Sequence, residues 1–341
     1  MSATNILDRF IEDCEGGHPV EYALPPSPRK LKQIEKVMGG VSRTVRDNAK
    51  RAENSFTERL PRFNMGEAEL ARARNAVQGF MDEIYNDPKG FALAIERDNL
   101  EKVMKDGSFK NQFQTNTSKG VRDLQRRAKQ TNRNFGTPIE ETTLVNPYTW
   151  KDERGIDPTT RALKGSEKYG YHPKYTPGEN VLHYGEYTIN FNPANVRDRV
   201  TFTNGDSLGD SDYPVLLSDK GTWGGAVNHL GDSKELKYLT DIDEDALYRL
   251  EANMYSPFTY NELQYHGPLG LDDVESITLP SWDRKGFEEN IDMWKRIRPD
   301  DWEKVVKKKE YIPGSWKDKA DANRFNFVDE NGNILYQWGS R

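Results

Sequence analysis

Hydrophobic residues recur at helical spacing through the first third of the chain and alternate from residue 184 onward, which restricts the fold to the α+β class. Ser27-Pro28 offers an N-cap hydroxyl and a proline at the first helical position, and Leu31, Ile34 and Met38 carry the period on. Gly39-Gly40 is expected to stop that helix. Asn64 and Glu67 pair as a capping box before a second helix, whose face is Leu70, Val77, Met81 and Ile84 and whose end is Asn86-Asp87-Pro88. Phe91 to Ile95 reads as a short buried strand. A third box, Asp98 with Glu101, opens a helix that ends at Lys105-Asp106-Gly107.

The middle of the chain is less regular. Residues 109–118 are polar, and 134–180 are rich in Gly, Pro and Tyr, which predicts a long surface excursion. Strands are predicted at Tyr184–Phe191, at Arg199–Thr203 before Asn204-Gly205, and at Pro214–Leu217, with a helix at 244–253. Tyr260 to His266 is a further strand, closed by Gly267-Pro268. Asp272 and Glu275 then read as a capping box opening one helical turn, and Ile277-Thr278-Leu279-Pro280 returns to strand. A helix is predicted around 302–306. Asn331-Gly332 between the apolar runs 325–328 and 334–338 marks a hairpin.

Composition narrows the classes. The chain has 341 residues, 30% charged and 11% aromatic, enough length and apolar area to bury a core. A single cysteine, Cys14, allows no internal disulfide and suits a reducing compartment. No apolar run nears the roughly 20 residues that span a bilayer, and the N-terminus lacks a basic flank before an apolar core. A soluble, cytoplasmic protein with no membrane partner is the expectation. The net charge of −6 conceals a basic stretch, 102–133, with nine Lys or Arg against two Asp or Glu. Such a stretch faces phosphates or is simply a solvated surface.

Few motifs offer chemistry. Gly205-Asp206-Ser207-Leu208 spells the signature of a serine esterase family, but it lies mid-chain. None of the five histidines has Asp three positions before it, and a serine without a positioned base is a poor nucleophile, so a turn or chance match is preferred. The scattered histidines and lone cysteine offer no metal site, and no glycine-rich phosphate loop occurs. Glu262 remains, a lone acid on a strand before a tight turn. By periodicity alone it is equally a catalytic carboxylate or a solvent-facing residue of an edge strand.

The ordered strings Asn99–Gly107, Phe109–Ser118, Tyr169-Gly170-Tyr171, Tyr184-Gly185-Glu186, Arg197–Leu208 and Glu262-Leu263-Gln264-Tyr265-His266-Gly267 resemble the ADP-ribosyltransferase-like domains of phage head-associated proteins and bacterial polymorphic toxins. The likeness spans roughly residues 90–280, and the unit at 91–107 is distantly similar to that of DarT-like DNA ADP-ribosyltransferases. Arginine-directed members usually carry Glu-x-Glu or Gln-x-Glu, whereas this chain reads Glu262-Leu263-Gln264.

The resemblance implies an ADP-ribosyltransferase-type split β-sandwich with helices as the catalytic domain (89–285); outside it the residues give a helical N-terminal region (1–88) and a C-terminal extension (286–341) with a helix and β-hairpin. It implies NAD bound between two small sheets, with Glu262 stabilising positive charge on the ribose. Gln264 and His266, on the same strand face, would orient the acceptor or take its proton. Arg199, Thr201 and Thr203 would contact NAD. Arg97, Lys110 and Thr115 are further cofactor-binding candidates, the last two equally readable as loop-anchoring polar residues. The implied protein transfers ADP-ribose to a macromolecule, with RNA or DNA favoured over protein, as an intracellular toxin or phage-defence effector. A single-stranded nucleic acid would also suit as that acceptor, and an antitoxin or chaperone is a further candidate partner. The alternative is a phage head-associated structural or interaction protein with a degenerate transferase fold.

Overall fold

The computed structural model describes residues 26–59, 61, 66–111, 131–136, 168–171, 185, 187–204, 214–230, 261–280, 312–329 and 331–340. The expected helices at 244–253 and 302–306, and Asn64 of the second capping box, lie outside them. No helix among the described residues is long and apolar enough to cross a membrane.

Helix α1 (Pro28–Arg59) begins as its sequence suggests, with Ser27 Oγ accepting the Lys30 N–H at 3.3 Å. It does not stop at Gly39-Gly40. Each glycine costs about 1 kcal/mol against alanine in a helix interior. Met38, Val41 and Val45 flank the pair and are at most 2% exposed. Burying each such side chain contributes about 1.5–3 kcal/mol, so packing carries the helix through. Helix α2 (Glu67–Asn86) ends where expected, with Val77, Met81 and Ile84 buried.

Strand β1 (Ala92–Ile95) leads into α3 (Arg97–Asp106). The Asp98–Glu101 capping box is not formed, because the helix starts two residues earlier, after Glu96. Asp98 instead lies in the first turn, where a negative charge suits the helix dipole. Gly107 ends α3 in the left-handed region at φ 73°, its N–H reaching Val103 O at 2.7 Å.

The remaining strands are β2 (Lys168–Tyr171), β3 (Tyr187–Phe191), β4 (Val200–Asn204), β5 (Val215–Leu216), β6 (Asn261–Tyr265), β7 (Val274–Thr278), β8 (Asn326–Val328) and β9 (Ile334–Tyr336). β2 falls inside the stretch expected to be a surface excursion, so that expectation fails at 168–171. Hydrogen bonding joins all nine in the order β5-β4-β6-β2-β1-β3-β7-β8-β9, one sheet rather than two. The β1–β2 junction, however, rests on the single pairing Ala92↔Tyr171, whereas β1 pairs with β3 at four positions. The two halves of the sheet therefore meet at one point.

A one-turn helix, α4 (Pro193–Val196), and a 3₁₀ turn (Arg197–Arg199) lead from β3 into β4. Along β4 the side chains alternate. Phe202 faces α2, its ring 5.8 Å from Phe80 and nearly perpendicular to it. Thr201 lies on the other face, in register with Leu216. Leu216 packs with Leu31, Ile34, Met38, Val41, Val45 and Phe135, so α1 covers this second face. A 3₁₀ segment (Lys220–Leu230) runs close against α1, where an added Cβ at Gly225 would stand 2.8 Å from Ala49 Cα.

The Asp272–Glu275 box is likewise not formed. A 3₁₀ turn (Leu271–Asp273) occupies the place, Asp273 Oδ2 accepts the Gly270 N–H at 2.9 Å, and Glu275 belongs to β7. The predicted C-terminal hairpin is present as β8 and β9. β8 pairs in parallel with β7, while Trp316 and Ala320 of helix α5 (Gly314–Asn323) join the main apolar core.

Candidate functional site

Strand β6 lies between β2 and β4, so Glu262 is on an interior strand and the edge-strand reading does not hold. Period-2 alternation sends Leu263 and Tyr265 into the main core and leaves Glu262, Gln264 and His266 on the opposite face. β4 aligns beside it with Thr203 opposite Glu262 and Thr201 opposite Gln264. All five polar side chains are buried, Glu262 at 2% exposure and the other four at 0%. Buried polar groups at this density must satisfy one another.

They do so through a directed chain. Thr201 Oγ1 donates to Gln264 Oε1 at 2.7 Å and lies 2.9 Å from His266 Nε2. A hydroxyl has one proton, so with that proton on Gln264 its oxygen accepts from His266, which places the imidazole proton on Nε2. Gln264 Nε2 donates to Glu262 Oε1 at 2.8 Å, with Thr203 Oγ1 3.3 Å away. Turning the amide over would set its oxygen against the carboxylate, so the network fixes the Gln264 orientation. The donors run from His266 through Thr201 and Gln264 to the Glu262 carboxylate. Phe135, from the helical turn at 131–135, packs on the His266 ring with centroids 5.1 Å apart.

Arg199 lies outside this chain. The 3₁₀ turn before β4 removes it from strand alternation, and its side chain goes to the protein interior at 2% exposure. Nε donates to Asn195 O at 3.0 Å, and Nη1 donates to His266 O at 3.1 Å and also to Pro268 O. Nη2 stands 2.9 Å from Asp273 Oδ1, off the hydrogen-bond angle and so a charge contact. The His266 backbone N–H in turn reaches Arg199 O at 2.9 Å. Arg199 is a strut that holds the 266–268 turn.

Asp273 completes a charged cluster that sequence reading missed. Lys30 Nζ, from the first turn of α1, lies 2.7 Å from both Asp273 Oδ2 and Asp272 Oδ2. Burial alone would raise the Asp273 carboxyl. The Arg199 and Lys30 charges, with bonds from Lys30 and the Gly270 N–H, outweigh it and hold the group below the usual carboxylate range. Lys30 and Asp273 are 243 positions apart and neither belongs to a motif, so no local signal could have paired them. Phe135 was equally hidden, in a stretch without periodicity.

The other predicted residues are placed elsewhere. Arg97 opens α3 and pairs with Glu101 at 3.2 Å. Lys110 is half-exposed and pairs with Asp106 at 2.6 Å. Thr115 lies outside the described residues. The structure thus brings together Glu262, Gln264, His266, Thr201 and Thr203, sets Arg199 directly behind them, and engages Arg97 and Lys110 locally along α3.

Chemically, the cluster offers one oriented carboxylate, two hydroxyls and an imidazole with a defined proton, in a setting that excludes water. An anion there acts on a developing positive charge at a lower effective dielectric than in bulk water. Against protein-family models and curated proteins alike, the chain finds no match.

Proposed function

We propose that this chain is an NAD-dependent ADP-ribosyltransferase whose working carboxylate is Glu262 and whose acceptor is a nucleic acid. The reading accords with an intracellular toxin or phage-defence role. The observation that carries it is the donor chain ending on Glu262, which holds an interior-strand carboxylate in one orientation beside Thr201 and Thr203. The donor set suits the group: a carboxylate for a ribose that turns cationic, and hydroxyls for a sugar. NAD would supply an ADP-ribosyl group whose bond to nicotinamide breaks with its electron pair leaving on the pyridine.

Glu262 stabilises the charge left on the ribose carbon more in the transition state than in the ground state. Gln264 keeps that carboxylate from rotating away. His266, proton on Nε2, polarises Thr201 and through it the amide. Arg199 is assigned a positioning role, fixing the backbone of His266, in place of a direct hold on the pyrophosphate.

The test is transfer of label from NAD to separate RNA, DNA and protein pools by wild type and Glu262→Gln. Wild type should label nucleic acid, and the substitution should lower the rate about 10²–10³-fold, the usual effect of removing one charge-stabilising group. Label confined to protein removes the nucleic-acid acceptor. Absence of both label and nicotinamide release in every pool removes the transferase reading and leaves a structural or interaction protein.

A further inference from the structure

Helix α1 carries a row of cations that its own fold does not use. Arg29, Lys32, Lys36, Arg43 and Lys50 are all exposed and follow one another at spacings of three, four, seven and seven. At 100° per residue these positions fall within about 60° of one another, on the side opposite Ile34, Met38, Val41 and Val45. At 1.5 Å per residue the row is about 30 Å long.

No ion pair joins any of the five to a carboxylate among the described residues. The cations that flank the row are committed. Arg46 pairs with Asp219 at 2.5 Å, Arg51 donates to Asn48, and Lys30 is held by Asp272 and Asp273. In a chain of net charge −6, a straight run of five uncommitted cations is a local reversal of sign.

The rungs between them are equally plain. Gly39 and Gly40 stand between Lys36 and Arg43, and an added Cβ at Gly39 would meet nothing within 4 Å. Packing therefore does not require glycine there, and the bare backbone lets an extended ligand lie against the helix. Asp47 is the one acid on the line. No aromatic residue stands on it, so the row can hold phosphates but cannot stack or read bases.

We propose that the outer face of α1 is a docking surface for the sugar-phosphate backbone of a nucleic acid, bound without regard to sequence. A lipid surface fits less well, because the apolar face an interfacial helix would insert is already buried against Leu216 and Phe135. Helix α1 stands between this row and the candidate site: on its opposite, buried side Ile34 packs over Gly267, and Asn48 Nδ2 holds Arg133 O at 3.0 Å beside Phe135. The inference adds a place of acceptor docking to the transferase reading, but binding needs no NAD, so either can fail alone.

The experiment is fluorescence anisotropy of a labelled single-stranded oligonucleotide with the full chain, without NAD, across a salt series. Each phosphate neutralised on a single strand contributes about −0.7 to the slope of log K against log salt, so five contacts give about −3.5. Replacing Lys32, Lys36, Arg43 and Lys50 together by Gln should bring the slope to about −0.7. Single replacements at Lys32 and at Lys50 should each make it shallower by about 0.7, which keeps the test sound if the fourfold variant unfolds.

A wild-type slope no steeper than about −1, or slopes unchanged by the single replacements, would overturn the proposal. So would equal competition by polyglutamate, or binding to phosphatidylserine vesicles without binding to the oligonucleotide.

Discussion

At the scale of single residues, the Thr201 hydroxyl is the joint of the donor chain, since it serves Gln264 and His266 together. Thr201→Val keeps the shape and removes that joint, taking from Gln264 Oε1 its shorter donor and from His266 Nε2 its partner at 2.9 Å. Stability should fall by about 1–3 kcal/mol in urea unfolding, with Thr201→Ser recovering most of it. The grouping of Glu262, Gln264 and His266 on one face was legible in the sequence, because alternation depends only on neighbours. That Gln264 would face Thr201 was not legible, because the register between strands 63 positions apart is set by the assembled sheet. Arg199 shows the same limit: two residues before Thr201 on paper, it is turned aside by the 3₁₀ turn that precedes β4.

At the scale of elements, helix starts and stops were readable where a local bond decides them, at Ser27-Pro28 and at Gly107. They failed where burial decides them, as at Gly39-Gly40, through which apolar packing on the opposite face carries α1. This has a measurable counterpart. Gly39→Ala meets open space in an ordinary helical position and should stabilise the chain by roughly 0.5–1 kcal/mol. Gly136→Ala should do the reverse in the same thermal-unfolding measurement. Its φ is +64°, and an added Cβ would stand 2.1 Å from Thr44 Oγ1, forcing the turn that carries Phe135 away from α1. The two displaced capping boxes teach a related lesson: an acid at the right spacing near a helix start still depends on which residue the chain turns at.

At the scale of the whole molecule, the Lys30–Asp273–Arg199 cluster ties the N-terminal helix to the turn between β6 and β7. The Asp273 carboxyl titrates below its ordinary value of 3.8 in the folded chain. Its contribution to stability is therefore complete above that value and is lost as pH falls from it through the lower folded value. The wild-type urea midpoint should drop through this window. Asp273→Asn should remove the Asp273 part of the drop and, by leaving two buried cations with one partner fewer, lower stability at neutral pH by about 3–5 kcal/mol.

The parallel pairing of β8 with β7 carries a temporal consequence. Ribosomes deliver chains from the N-terminus, so β7 emerges and docks on β3 well before the strand that will cover its other margin has been made. During that interval a row of unclaimed amides faces the crowded cell, open to any extended peptide that drifts past. Nascent chains stalled short of β8 should thus be the form most prone to adhere to chaperones and to each other.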